Sequence, residues 1–337
     1  GLGAIFTAAF IGGIFQIFIG KMLKPIRHMF PPLVTGIVVL MIGISLLKVG
    51  FKYAGGGVWL MNNKPEIFAN WHHLTIAGTV LIVALITNLK GKGMASAASI
   101  LIGIIAGFIV AAALGEVRWE KIAAADWFAF PMPFQYGIDF VWGAVILMLF
   151  MSIVTTIETI GDISATTMGG ANREATNKEL SGGIMADGVG TAFASVFNAM
   201  PNTSYSQNAG LVAFTGVISR HVGTVAGVIL ILLGLFPKLG GIIAAMPDSV
   251  IGGAAIIMFG LIAGAGIKLI SKSEMSQRNI LILSLSLSFG IGLYAFPEFV
   301  AHVPDLGIKL GLLLTTGLIP AGLLAFILNA TLPKKNR

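Results

Sequence analysis

Glu158 and Asp162 stand four residues apart in Glu158-Thr159-Ile160-Gly161-Asp162, a spacing that puts both carboxyls on one face of a helix. A mostly apolar stretch precedes them, which places them at membrane depth. An ionised carboxylate there is expensive, so it faces a cavity, pairs with a donor, or carries protons. For Asp162 a second reading stands alongside. Thr166, Thr167 and Gly169 follow it, as where a helix nears the cytoplasmic headgroups and its terminal carboxylate bonds backbone amides. A third acid, Asp187 in Ala186-Asp187-Gly188, interrupts a segment rich in Gly and Ala. It reads equally as an anchor for neighbouring backbone amides and as a proton-coupling group.

Downstream, Ala199-Met200-Pro201 ends an apolar segment, and seven polar residues follow, Asn202-Thr203-Ser204-Tyr205-Ser206-Gln207-Asn208. Pro201 favours an extended approach, and Thr203 and Tyr205 suit a strand. The pattern predicts a short strand, then a half-helix that resumes around Gln207 inside the membrane. The free N–H groups at such a helix start attract electron-rich ligand atoms. Gln207 and Asn208 add amide donors and acceptors matched to a planar solute with several hydrogen-bonding edges.

The elements that must position these groups are hydrophobic helices. Of 337 residues 56% are hydrophobic and only 10% charged, and the mean hydropathy is +0.93. Soluble domains carry about 25% charged residues, so the chain is an integral membrane protein. Its apolar runs exceed the roughly 10-residue alternating segments of a membrane β-barrel, so the spans are helical. There is no cysteine and only five histidines. No disulfide framework, thiolate metal site or HExxH pattern is present, so no metal or cofactor is expected.

Hydropathy predicts eleven segments, near 2–20, 32–50, 74–89, 96–114, 140–168, 182–199, 207–218, 222–245, 248–270, 279–296 and 308–331. Those at 182–199 and 207–218 are short and polar-flanked, as in broken or half-crossing helices. Alternating the spans places 14 of the 21 Lys and Arg residues on one side. That side is cytoplasmic by the positive-inside bias, so the C-terminus ends inside. The excess of +7 is thereby a topology signal, not a nucleic-acid footprint. Trp59, Trp71, Trp119, Trp127, Phe128 and Phe130 read as an interfacial aromatic belt. His72 and His73 share that setting, without a third metal ligand nearby in sequence.

Pro31-Pro32-Leu33-Val34-Thr35-Gly36 and Pro247-Asp248-Ser249-Val250-Ile251-Gly252 both read P-x-x-V-x-G and open Gly-bearing spans of opposite predicted orientation. Inverted repeats of this kind build transporters, with the substrate site at the repeat interface.

Gln207-Asn208-Ala209-Gly210-Leu211-Val212-Ala213-Phe214-Thr215-Gly216 resembles the signature of the nucleobase–ascorbate transporter family, Q/E/P-N-x-G-x-x-x-x-T followed by Arg, Lys or Gly. Glu158 to Asp162 is similar to that family's carboxylate motif, and Ala186-Asp187-Gly188 to its intervening Asp. The order and spacing match along essentially the whole chain.

The resemblance implies an all-α polytopic fold of fourteen spans in two inverted repeats of seven, with core and gate domains and a short strand before the half-helix. This chain would keep the fourth to fourteenth spans and lack the first three. Residues 1–24 and 140–246 would belong to the core, the latter holding the substrate site. Residues 25–139 and 247–337 would form the two gate halves.

Gln at the first signature position resembles the xanthine and uric acid permease branch. The resemblance then assigns Glu158 and Gln207 to the base, the Ser206 backbone to further contacts, and Asn208 to the turn. Gly210 and Thr215 complete the signature, while Asp162 and Asp187 would orient the core and take part in proton coupling.

The implied activity is import of a purine base with H+ across a bacterial cytoplasmic membrane, by movement of core against gate. Implied partners are the purine, the lipid bilayer and a second copy in a homodimer. A uracil carrier of the same family is the nearest alternative. An anion channel or exchanger is disfavoured by three buried acids. An intramembrane enzyme is disfavoured because no nucleophile motif accompanies the acids.

Overall fold

A computed structural model describes residues 1–23, 31–205, 208, 212, 216–302, 311 and 314–333. In chain order its helices are α1 (Leu2–Lys21), α2 (Pro32–Ala54), α3 (Val58–Asn63), α4 (Trp71–Lys90), α5 (Met94–Ala97) and α6 (Ser99–Ala113). They continue with α7 (Trp119–Ala124), α8 (Trp142–Ala171), α9 (Asn177–Val196), α10 (Arg220–Gly234) and α11 (Pro237–Ala245). The last are α12 (Asp248–Ile270), α13 (Gln277–Ala295), α14 (Pro297–Ala301) and α15 (Leu318–Thr331).

Six of these, α1, α2, α4, α8, α12 and α13, are long and apolar enough to cross a membrane. The hydropathy map expected eleven spans, and the difference lies in particular segments. The run at 96–114 folds as the 15-residue α6, and only the 14-residue α15 of 308–331 is described as a long helix. The run at 222–245 becomes two helices bent by 80° at Leu235-Phe236, where Pro237 starts the second. The segment at 182–199 lies in α9, whose Gly, Asp and Thr content keeps it below the hydropathy of a full span. Most of 207–218 falls outside the described residues.

Helices are the regular secondary structure of the described residues, and no strand occurs among them. The short strand expected at 202–206 is therefore corrected. Residues 201–205 are irregular chain, and Ser206 lies outside the described residues. A strand needs a second strand to exchange backbone hydrogen bonds. Here Asn202 and Ser204 are bonded to helix side chains instead.

The chain divides into two compact units. The first comprises residues 1–45, 131–216 and 262–337. One of its cores joins Ile37 and Met41 of α2 to Val154 and Ile157 of α8, Ile282 of α13 and Ala321 and Ala325 of α15. Alongside, α1 lies against α8 and α9. A Cβ on Gly13 would come within 2.6 Å of the Gly188 carbonyl, so only glycine permits this approach of the α1 and α9 backbones.

The turn from α8 into α9 is specified locally. Asn172 takes the left-handed conformation (φ 53°) that ends α8. Thr176 and Glu179 then form a reciprocal capping box at the start of α9. Arg173 grips the Glu179 carboxylate with two bonds, at 2.6 and 2.9 Å. The guanidinium and the Thr176 donors hold that carboxyl well below the usual carboxylate range.

The second unit comprises residues 46–130 and 217–261. Ile76 and Val80 of α4 pack with Ala111 of α6, Val117, Ala245 of α11, and Val250 and Ala254 of α12. Asn70 caps α4 by accepting from the His73 backbone N–H at 3.0 Å. Arg118 reaches the Met246 carbonyl, and Lys238 the Ile122 carbonyl at 2.8 Å. The six belt aromatics expected at a membrane interface are all exposed, from 56% for Trp119 to 76% for Trp127. His72 Nδ1 lies 2.9 Å from Glu116 Oε1, so a hydrogen-bonding contact accounts for one member of the histidine doublet.

Candidate functional site

The acids of α8 and α9 and the irregular segment after α9 meet inside the first unit. Ser204 donates its hydroxyl to Asp162 Oδ2 at 2.7 Å, and its oxygen lies 3.5 Å from the Thr159 hydroxyl. Thr159 in turn donates to Asp187 Oδ2. Asp162, Ser204, Thr159 and Asp187 thus form a cluster drawn from three segments, in which each hydroxyl donates to one carboxyl.

Each member is placed for a local reason. Thr159 is three residues before Asp162 on α8, hence on nearly the same face, and is 1% exposed. Asp187 adjoins Gly188, whose lack of a side chain lets α1 press on α9. One turn further along α9, the Thr191 hydroxyl lies 3.0 Å from both the carbonyl and side-chain oxygens of Asn202, and it accepts from the Asn202 N–H at 3.3 Å. This clamp delivers Ser204, two residues on, to the acids. The Asn208 backbone N–H donates to the Tyr205 carbonyl at 3.0 Å and closes a turn at the end of the segment.

Glu158 lies on the same helix, and its charge interacts with those of Asp162 and Asp187. Unlike them it has no hydrogen-bond partner among the described residues, which leaves its carboxylate available to a ligand. The structure therefore brings together Glu158, Asp162 and Asp187, with Asn208 at the end of the adjoining segment. Ser206, Gln207, Gly210 and Thr215 lie outside the described residues.

Asp162 is followed by more than two turns of α8, to Ala171, and so is not a helix-end carboxylate. Asp187 accepts from the Thr159 hydroxyl of the neighbouring helix.

Sequence reasoning missed Thr159, Thr191, Asn202 and Ser204 as individual site residues. Thr159 and Thr191 had one signal, a polar side chain placed on a helix face shared with an acid. Nothing local distinguished Ser204 from the other hydroxyls in its run.

An apolar cavity on another side of α8, lined by Phe15, Val38, Phe150, Thr156 and Phe326, is chemically different. Its lone hydroxyl, Thr156, is spent on the Ser152 carbonyl at 2.7 Å. It offers a polar solute no partner.

Comparison with known proteins agrees with the motifs. The family model Xan_ur_permease, described as Permease family, matches residues 1–299. The xanthine permease XanP of Escherichia coli is 32% identical over 342 residues, covering 100% of this chain and 72% of that protein. The uric acid permease PucJ of Bacillus subtilis is 34% identical over 332 residues, covering 98% and 73%. Among solved structures, the transmembrane domain of the cyanobacterial bicarbonate transporter BicA superposes with a TM-score of 0.51 at 16% identity. That superposition covers 98% of this chain and 77% of the other, and it concerns the fold alone. With nearly nine-tenths of its length matched by the family model, this chain belongs to the Permease family, the nucleobase–ascorbate transporters, and is an integral membrane protein.

Proposed function

We propose that this protein is a symporter that imports a purine base, xanthine or uric acid, together with H+ across a bacterial cytoplasmic membrane. The observation that carries the reading is the contrast between Glu158 and its neighbours. Asp162 and Asp187 are engaged by Ser204 and Thr159, whereas Glu158 keeps a free carboxylate beside them. A carboxylate accepts strongly from a ring N–H. Gln207, one signature position before Asn208, offers both a donor and an acceptor to an oxopurine edge. The two relatives named as xanthine and uric acid permeases support that substrate class.

In this reading Glu158 and Gln207 hold the base, the Ser206 backbone adds contacts, and Asn208 supports the turn. Gly210 and Thr215 complete the signature motif. Asp162 and Asp187 orient the core and take part in proton coupling. The chain ends on the cytoplasmic side, and two copies associate as a homodimer.

Residues 1–24 and 140–246 act as core, and 25–139 and 247–337 as gate, moving against each other for alternating access. Helix contacts support the inverted repeat. In the first unit a Cβ on Gly36 of α2 would strike Ile270 of α12, and in the second a Cβ on Gly252 of α12 would strike Ala54 of α2. Residues 36 and 252, like 54 and 270, are 216 apart, so equivalent positions of the two P-x-x-V-x-G segments make equivalent contacts.

The test is uptake of radiolabelled xanthine, urate, uracil and ascorbate by the full-length protein in cells, with and without a protonophore. Xanthine or urate should accumulate, the protonophore should abolish it, and Glu158→Gln and Gln207→Ala should each impair it. Undiminished uptake by both variants would remove the site assignment. Accumulation that ignores the protonophore would remove the coupling.

A further inference from the structure

Gln16, in the middle of α1, is 2% exposed, and its side-chain Nε2 has no hydrogen-bond partner. The rest of α1 is apolar or small apart from Thr7 and the terminal Lys21. An amide at this position is therefore a departure from the pattern of its own helix. Buried amides normally find a partner, and one that does not requires a reason.

The surroundings of Gln16 are well defined. One turn earlier, Ser152 of α8 donates to the Gly12 carbonyl at 3.0 Å. One turn later, Ser181 of α9 donates to the Gly20 carbonyl at 2.7 Å. Gln16 shares a helix face with Gly12 and Gly20, so its side chain enters the junction of α1, α8 and α9 between these two pins. Within that span a Cβ on Gly188 would lie 2.9 Å from the Ile17 backbone nitrogen, which puts the 13–17 turn of α1 directly on the residue after Asp187. Thr156 and Thr159, the α8 residues nearest this level, are 0% and 1% exposed, and Thr159 holds Asp187.

Leucine or methionine would fill the same space without leaving a donor unmatched. A donor without a partner in one state of a two-state carrier is accounted for if the other state supplies an acceptor.

We propose that Gln16 is a positioning residue for Asp187, its unmatched N–H2 serving as the donor that is taken up when the α1–α8–α9 junction rearranges during transport. This rests on the reading of Asp187 as part of the transport site. Gln16 acts through α9 and the Thr159–Asp187 pair and does not touch the purine.

Its removal should slow the cycle without changing how substrate binds. In proteoliposomes of the full-length protein, Gln16→Met should reach wild-type abundance and heat stability. Its KM for xanthine should stay within about twofold and its Vmax fall by about tenfold. Gln16→Asn, which keeps the amide, should recover a substantial part of Vmax. A normal Vmax in Gln16→Met overturns the proposal, as does equal loss in the Asn and Met variants, which would make side-chain size the cause. Gln16→Leu carries the same test if Gln16→Met does not accumulate, and failure of both to accumulate would assign the amide to folding alone and also overturn it. Glu158→Gln and Gln207→Ala run beside these variants. If they transport normally, the site reading itself falls. If they fail while Gln16→Met is normal, only the role of Gln16 falls.

Discussion

Ser204, on irregular chain after α9, donates its hydroxyl to the carboxylate of Asp162, 42 residues earlier on α8, at 2.7 Å. A side-chain hydrogen bond in a protein interior contributes about 0.5–1.5 kcal/mol net, and leaving a buried partner unmatched costs about 1–3 kcal/mol. The same hydroxyl lies 3.5 Å from that of Thr159, which donates to Asp187, so Ser204 sits between two acids that lie on different helices.

Ser204→Ala should therefore reduce purine uptake by about tenfold or more, at unchanged abundance in the membrane, because Asp162 loses this hydroxyl donor. Ser204→Thr keeps the hydroxyl and should retain most activity. Wild-type uptake in the alanine variant would show that the Ser204–Asp162 bond is dispensable.

Thr159 and Asp187 should behave as one unit. Thr159→Val removes the hydroxyl at nearly constant volume, and Asp187→Asn removes the charge. In a double-mutant cycle on uptake rate, the pair should deviate from additivity by about 1 kcal/mol or more. Additive losses would mean that the short contact between them has no functional weight.

The close approach of α1 to α9 makes a packing prediction. Gly13→Val would drive side-chain atoms into the Gly188 carbonyl and the Ala192 backbone, so its melting temperature in detergent should drop by several degrees. A Cβ on Gly78 of α4 meets nothing within 4 Å, and Gly78→Ala should be neutral or stabilising by up to about 1 kcal/mol. Equal effects at the two positions would contradict the packing described.

The turn between α8 and α9 carries a pH signature. The Glu179 carboxyl is held down by Arg173 and by Thr176, so its contribution is present above the unfolded carboxylate pKa of about 4.3 and fades as pH falls through the lower folded value. Glu179→Gln should accordingly speed proteolysis at 172–177 at pH 7, and the gap from wild type should persist to about pH 4. A gap that closes between pH 7 and pH 5 would show that another group controls this turn.

Parts of the site were legible because they depend on local rules. The i, i+4 spacing of Glu158 and Asp162 predicts a shared face, and both lie on α8. Asp187 stands out as a charge in a run of small residues, and the run after Pro201 stands out as polarity amid apolar segments. The strand expected there was not legible, because strand propensity in Thr203 and Tyr205 says nothing about whether a second strand is available to pair. The hydroxyl partners were hidden for a similar reason. Thr159 and Ser204 are ordinary residues whose importance arises only from what folding sets opposite them.

The sequence by itself determined that this is a helical membrane protein and which permease family it belongs to, and it singled out three acids among small and apolar residues. Composition, periodicity and motif order are one-dimensional properties that suffice for such conclusions. Only the tertiary structure decided how the acids are used. Hydrogen bonds act over about 3 Å, and which groups come within that distance across 28 or 42 residues of chain depends on the packing of α1, α8 and α9. That packing engages Asp162 and Asp187 and, among the described residues, gives Glu158 no hydrogen-bond partner and leaves a donor of the buried Gln16 unmatched.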